Sequence, residues 1–269
     1  MSERDGHEPG VPCWSDHASG DPDAAMAFYA ALLGWEGEEV TDPAAPARYY
    51  RCRLRGRDVA GIGSQPGAPA GAPATWSTYV AVAGADAAAE RAVAAGGEVV
   101  AGPVDIADAG RMAVLRDPAG AAFCVWEAGR HRGAELVDEP GALTWSELVT
   151  RDVAGAQRFY GALFGWRALA QQVGTLRYVT WHLPGAGAPE PSAAIAGLLP
   201  MEGDQWPRDL APHWMTYFGA ADVDAATARV QELGGAVVVA PFDTPAGRIA
   251  VVADPAGAPF SLIALAPRA

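Results

Sequence analysis

The chain repeats itself once, and that repeat limits what it can fold into more than any other feature. Phe28-Tyr29-Ala30-Ala31-Leu32-Leu33-Gly34-Trp35 recurs as Phe159-Tyr160-Gly161-Ala162-Leu163-Phe164-Gly165-Trp166, an offset of 131 positions. Trp76-Ser77-Thr78-Tyr79 recurs as Trp214-Met215-Thr216-Tyr217, and Gly96-Gly97 as Gly234-Gly235. Gly110-Arg111 with Asp117-Pro118-Ala119-Gly120-Ala121 recurs as Gly247-Arg248 with Asp254-Pro255-Ala256-Gly257-Ala258, by now at an offset of 137. Four motifs in one order at nearly one offset imply two copies of a single domain separated by small loop insertions. The sequence divides into a flexible N-terminus (1–10), a first copy (11–128), a linker (129–141) and a second copy (142–266). The linker is charged, glycine-rich and without hydrophobic period. With 269 residues, each copy is long enough to bury its own core.

Within each copy the period of the apolar residues alternates between helix and strand. Asp21-Pro22 is an N-cap followed by proline at the first helical position. Ala25, Phe28, Tyr29, Leu32 and Leu33 then form one helical stripe that Gly34 ends. Ala156, Phe159, Tyr160, Leu163 and Phe164 repeat it. Second helices are expected at 86–95 and 222–233. Strand-like runs lie at 49–54, 76–82, 112–115 and 123–126, and at 176–183, 214–218, 249–252 and 260–263. Asp-Pro-Ala-Gly between the last two strands of each copy is hairpin-turn chemistry. The expected fold is α+β, with each copy built from paired βαβββ modules and mostly antiparallel strands.

Composition removes several function classes. Net charge is −13, which disfavours nucleic acid and anionic membranes as partners. Half the residues are hydrophobic, yet no apolar run is long enough to span a bilayer, and the polar start MSERDGHEPG is no secretory signal. A cytoplasmic location is the expectation. All 19 basic residues are arginine, which excludes Schiff-base, pyridoxal-anchoring and P-loop lysine chemistry. Cys13, Cys52 and Cys124 are three isolated cysteines, so neither a disulfide framework nor a structural zinc site is indicated.

The order of these motifs resembles the vicinal oxygen chelate pattern, the superfamily of glyoxalases, bleomycin resistance proteins and extradiol dioxygenases. The match runs from about Val11 to Leu265, twice, and the tandem arrangement is similar to an actinobacterial subgroup. The resemblance implies two half-open, barrel-like sheets, each cupping a small molecule on its concave face. It also implies metal ligands on the first strand, on the first strand of the second module and on the last strand. Counted from the Asp landmarks, these positions fall at Trp14, Ser77 or Trp76, and Cys124, and again at Trp145, Met215 or Trp214, and Ser261. Such sets lack the donors a divalent cation needs, so no metal and no cofactor are expected.

Strand parity places Asp16 beside Trp14 and Glu147 beside Trp145. The first cleft is therefore expected to combine Trp14, Asp16, Trp76, Cys124 and Trp126. The second is expected to combine Trp145, Glu147, Trp214 and Ser261 with Tyr178 or His182. Arg111 and Arg248 are candidates for pairing with the two acids or with a ligand carboxylate. His7, His17 and His131 read as surface or terminal residues. Each cleft is an aromatic-walled site with one acid at its floor, suited to a flat, partly apolar ligand. The expected function is metal-free small-molecule binding, in sequestration or as an accessory to biosynthesis, by a monomer. The alternative is an enzyme of the superfamily, using Asp16 and Glu147 as acid and base or a nonstandard metal site of Glu147, His182 and His213.

Overall fold

The caps written in the sequence are the ones that form. In the computed structural model, helix α1 (Pro22–Leu33) starts where the Asp21 side chain accepts a bond from the Ala24 N–H, 3.0 Å away. It stops at Gly34, which takes the left-handed conformation (φ 74°). Its repeat α3 (Val153–Phe164) has the same Asp152 cap and the same left-handed Gly165. The structure describes residues 2–41, 47–65, 67–69, 71–174, 176–185 and 187–266.

The first copy runs β1 (Pro12–Ser19), α1, β2 (Glu36–Glu39), β3 (Tyr49–Leu54), β4 (Arg57–Ser64), β5 (Thr75–Val82), α2 (Ala85–Ala94), β6 (Glu98–Ile106), β7 (Gly110–Arg116) and β8 (Ala122–Ala128). The second runs β9 (Leu143–Thr150), α3, β10 (Arg167–Val173), β11 (Leu176–His182), β12 (Ala196–Pro200), β13 (His213–Gly219), α4 (Val223–Glu232), β14 (Ala236–Thr244), β15 (Gly247–Ala253) and β16 (Pro259–Leu265). Each copy is one eight-stranded sheet, in the orders β2-β3-β4-β1-β5-β8-β7-β6 and β10-β11-β12-β9-β13-β16-β15-β14. The two βαβββ modules of a copy meet where β1 pairs antiparallel with β5, and β9 with β13. Between the named strands, parallel pairing joins β1·β4, β5·β8, β9·β12 and β13·β16. The fold is α+β and mostly antiparallel, as the repeat implied.

Both helix-covered cores are shared between the copies. One joins Val80, Ala88, Leu115 and Phe123 of the first copy to Phe159, Tyr160, Trp181 and Trp214 of the second. The other joins Phe28, Tyr29, Trp35 and Trp76 to Phe218, Val230, Leu262 and Phe260. The repeated motifs meet in these interfaces. The Tyr29 hydroxyl donates to Asp254 Oδ2 (3.1 Å) and accepts from Trp76 Nε1 (2.9 Å). Tyr160 donates to Asp117 Oδ2 (3.2 Å) and accepts from Trp214 Nε1 (2.9 Å). Each turn aspartate thus holds its own hairpin, accepting two backbone N–H groups on Oδ1, and reaches across to the other copy with Oδ2.

Several expectations fail here. Trp76 and Trp214 lie on the helix-covered faces, in the inter-copy cores, and not in the clefts. His17 is no surface residue: it is 1% exposed, with Nε2 2.7 Å from Asp254 Oδ2. The N-terminal residues expected as a free arm are tied down, since Glu3 bridges Leu136 and the Arg4 N–H donates to Glu135 O. Among the described residues no helix is long and apolar enough to cross a membrane.

Candidate functional site: a carboxylate between two phenols on each concave face

On the uncovered face of the first sheet, Asp16 stands on β1 in register with Gly61 of β4 and Ser77 of β5. The absence of a side chain at Gly61 lets Tyr49 reach from β3 across β4 to the acid. Its hydroxyl lies 2.7 Å from Asp16 Oδ1, while Tyr79 on β5 donates to Oδ2 from the other side at 2.9 Å. Trp14 Nε1 completes the set, 2.5 Å from Oδ1. A Cβ built at Gly61 would stand 2.6 Å from Tyr49 Cζ, so glycine is what permits the crossing.

The second sheet repeats the arrangement with glutamate in place of aspartate. Glu147 on β9 is in register with Gly197 of β12. Tyr178 crosses over Gly197 from β11 to donate to Glu147 Oε1 (2.6 Å), and accepts from Trp145 Nε1 (3.1 Å). Tyr217 on β13 donates to Oε2 at 2.8 Å. Burial pushes both carboxyls above their ordinary range, and the phenol donors, with Trp14 at Asp16, pull the other way. The four phenols are pushed well above theirs, first by burial and then by the neighbouring acid. They remain neutral donors at any working pH.

The expected cleft residues divide accordingly. Trp14, Asp16, Cys124 and Trp126 come together on the first concave face, and Trp145, Glu147, Tyr178 and Ser261 on the second. Trp76 and Trp214 do not join them. Neither do Arg111 and Arg248. Both share the helix side of their strands, where Arg111 bonds Asp86 and Asp105, and Arg248 bonds Asp224 and Asp243. The acids are satisfied by tyrosine instead. His182 and His213 both have concave parity but stand at opposite ends of the sheet. His182 follows Trp181, which pairs with Ala196 two residues before the β12 partner of Leu148, whereas His213 pairs with Val149 across β9. The nonstandard metal site is therefore not assembled.

Register also shows which residues stand across the sheet from Trp14 and Trp145. Tyr79 lies opposite Trp14 and beside Cys124, and Tyr217 lies opposite Trp145 and beside Ser261. These lines of three join the expected first- and last-strand positions through a tyrosine, and not through Ser77 or Met215. They do not suit a divalent metal. Trp and Ser offer no anionic donor, both phenols are committed to carboxylates, and burial pushes the Cys124 thiol up to about 12. Among the described residues no group of three or more His, Cys, Asp or Glu lies close enough together to hold a metal ion.

The clefts differ in what covers them. Across the first, the segment after β8 folds back: Trp126 Nε1 donates to His131 O (2.9 Å), and the Ala134 N–H donates to Cys13 O (2.8 Å). The His131 ring stands edge-on to Trp14 at 4.3 Å, so this residue, expected at the surface, is part of the first cleft. Across the second, the 201–212 loop lays Trp206 and Leu210 against Val149, Met201, Met215 and Ile249. Arg151 holds the loop by the carbonyls of Leu210 and Pro207, at 2.7 and 2.6 Å. Exposed aliphatic and aromatic residues line the outer lips, Val104 and Ile106 on β6, and Val239 and Phe242 on β14. A separate cavity of about 700 Å³, beside Ser19, Asp21, Gln65 and Asp254, lies at the junction of the copies and on neither concave face.

This geometry can be set beside known proteins. The family model for the glyoxalase/bleomycin resistance protein/dioxygenase superfamily matches residues 16–125 and again 134–262. The chain belongs to that superfamily. An anthracycline biosynthesis protein of Streptomyces peucetius, DnrV, is 40% identical over 275 residues, covering 96% of this chain and 94% of its own. A Mycobacterium tuberculosis protein with a provisional glyoxylase name, CFP32, is 38% identical over 272 residues and the whole of both chains. Among solved structures, the Mn(II)-bound glyoxalase of Novosphingobium aromaticivorans has a TM-score of 0.61 at 16% identity, covering 95% of this chain and 83% of its own. The 2,3-dioxygenase LapB of Pseudomonas sp. KL28 has a TM-score of 0.63 at 14% identity, covering 96% and 93%. At those identities the likeness establishes the fold alone.

Tyr49, Tyr79, Tyr217, Gly61 and Gly197 are the site residues that sequence reasoning missed. The signal was present for two of them, because Tyr79 and Tyr217 close the repeated Trp-x-Thr-Tyr motif.

Proposed function

We propose that this protein binds a flat aromatic small molecule on a concave face without a metal ion, in a sequestering or accessory biosynthetic role. The observation that carries this is the pair of cross-strand lines Trp14-Tyr79-Cys124 and Trp145-Tyr217-Ser261, which offer rings and few metal donors. Together with the buried acid between two phenols, this gives a wall of rings over a hydrogen-bonding floor. The high likeness to an anthracycline biosynthesis protein along nearly its whole length supports a fused-ring aromatic as the ligand class. The test is a titration of the full chain with an anthracycline, followed by tryptophan quenching and calorimetry, with and without chelator. Saturable binding that is indifferent to the chelator is expected. Binding that appears only with a divalent metal, or none at all, refutes the proposal.

One observation favours an enzymatic reading. Asp16 is partly exposed and burial raises its carboxyl, which is the direction that general-acid catalysis requires. Turnover that Asp16→Asn abolishes while ligand binding persists would establish it. Glu147 is a poorer candidate, because it is only 5% exposed.

A further inference from the structure

The two clefts are copies in their floor but not in their aromatic walls. Of the nine tryptophans, seven make ring contacts: Trp14, Trp35, Trp76, Trp126, Trp166, Trp181 and Trp214. The two without a ring contact among the described residues are Trp145 and Trp206. Both are partly exposed, and both border the same cluster on the second concave face. In the first cleft the corresponding Trp14 is 3% exposed, because His131 covers it at 4.3 Å and also meets Trp126 at 5.6 Å. The first cleft therefore has its aromatic wall occupied by a ring of the chain itself. The second has two partly exposed indoles that no ring among the described residues covers and, on its lip, Phe242 at 42% exposure. Trp206 also lines a cavity of about 460 Å³ with Arg151, Gly203, Asp204 and Arg208, so its loop has space beside it.

We propose that the second copy alone is the ligand site. A fused-ring aromatic lies on Trp145, and Trp206 closes over it on the 201–212 loop, which Arg151 anchors. His131 serves the first copy as a built-in substitute for that ligand. This rests on the functional reading above and deepens it, by fixing the site, the stoichiometry and the residues that grip. An aromatic pair contributes about 0.5–1.5 kcal/mol beyond area burial, which corresponds to about two- to thirteenfold in affinity for each indole.

The experiment is calorimetric and fluorescence titration of the full chain with a dihydroxyanthraquinone, comparing Trp145→Phe, Trp206→Ala and Trp14→Phe with the unaltered protein. Expected are one site per chain, most of the quenching lost in Trp145→Phe, and affinity about tenfold weaker in Trp206→Ala, with Trp14→Phe unchanged. His131→Ala should raise the stoichiometry towards two by freeing the Trp14 and Trp126 rings. Trp206 is on a loop and partly exposed, so its variant should keep the native melting temperature, and this is checked alongside. Two sites in the unaltered chain, or losses that follow Trp14 and spare Trp145, overturn the assignment to the second copy and leave the functional proposal standing. No binding by the unaltered chain overturns both.

Discussion

Gly197 is where the structure makes its sharpest quantitative demand. A Cβ there would overlap the Tyr178 hydroxyl and stand 2.8 Å from Tyr178 Cζ and 2.7 Å from Trp145 Nε1. The obstruction is a ring end held by two hydrogen bonds, so in Gly197→Ala Tyr178 must leave its place. Glu147 Oε1 then loses its donor at 2.6 Å, and Trp145 Nε1 loses its acceptor. A hydrogen bond to a buried charged or part-charged acceptor contributes about 1.5–3 kcal/mol, and overpacking costs about 1–3 kcal/mol. The stiffer unfolded chain returns about 0.4–1 kcal/mol. The net expected loss is about 3 kcal/mol, read as a lowered urea midpoint at constant m and a melting temperature lower by about 6–10 °C. The decisive comparison is a double-mutant cycle with Tyr178→Phe, which removes the overlapping hydroxyl. The pair should cost less than the sum of the singles by about 1–2 kcal/mol. Additive losses, or a Gly197→Ala chain as stable as the parent, would refute the reasoning that glycine is present to let the phenol cross.

Three further outcomes are expected. Glu147 has a folded-state carboxyl raised by burial, so its contribution is fully present below its unfolded value of about pH 4.3 and is lost as pH rises through the folded value. Urea denaturation should therefore show the stability gap between the parent and Glu147→Gln shifting in favour of the variant from pH 4 to pH 8; a pH-independent gap would contradict it. Asp254 is held below its ordinary value: burial pushes it up, but the bond and charge of His17, backbone donors and Tyr29 outweigh this. That stabilisation is present above about pH 3.9 and lost as pH falls through the folded value, so His17→Leu should cost about 3 kcal/mol at pH 7 and flatten the acid limb of the stability profile. Because both cores take residues from both copies, fragments 1–132 and 138–269 should each lack a cooperative melt, while the intact chain melts in one transition by calorimetry; a cooperative melt of either fragment alone would count against shared cores.

What the sequence made legible follows from how local each signal is. α1 and α3 were bounded correctly because the Asp caps and left-handed glycines act within a few residues. Trp14 with Asp16, and Trp145 with Glu147, were assigned to one face correctly because alternation along a single strand is strict. Trp76 and Trp214 were misplaced because counting from distant landmarks slipped by three positions from Tyr79 and Tyr217, and an odd slip turns a strand residue to the other face. β2, β4 and β6 gave no usable period. β2 is four exposed residues, β4 is buried at nearly every position and glycine-rich, and β6 is broken by register shifts against β7. Arg111 and Arg248 were offered to the wrong acids because Asp86 and Asp224 lie on helices that only the folded sheet brings near them.

The duplication itself separates structure from function. A network that recurs in both copies, acid between two phenols over a glycine, stands in the first cleft although His131 already fills that cleft's aromatic wall. Its common task is therefore to join β3, β1 and β5, and their repeats, across a face that no helix covers. Under the proposed function, ligand specificity lies where the copies differ. They differ at Cys124 against Ser261, at Trp126 against Ile263, in the His131 segment across the first sheet and in the Trp206 loop across the second. All of these differences change the walls and cover of the clefts, and none disturbs the floor. One indole, Trp14, is thus held against the chain's own histidine, while its repeat Trp145 has no such ring over it among the described residues.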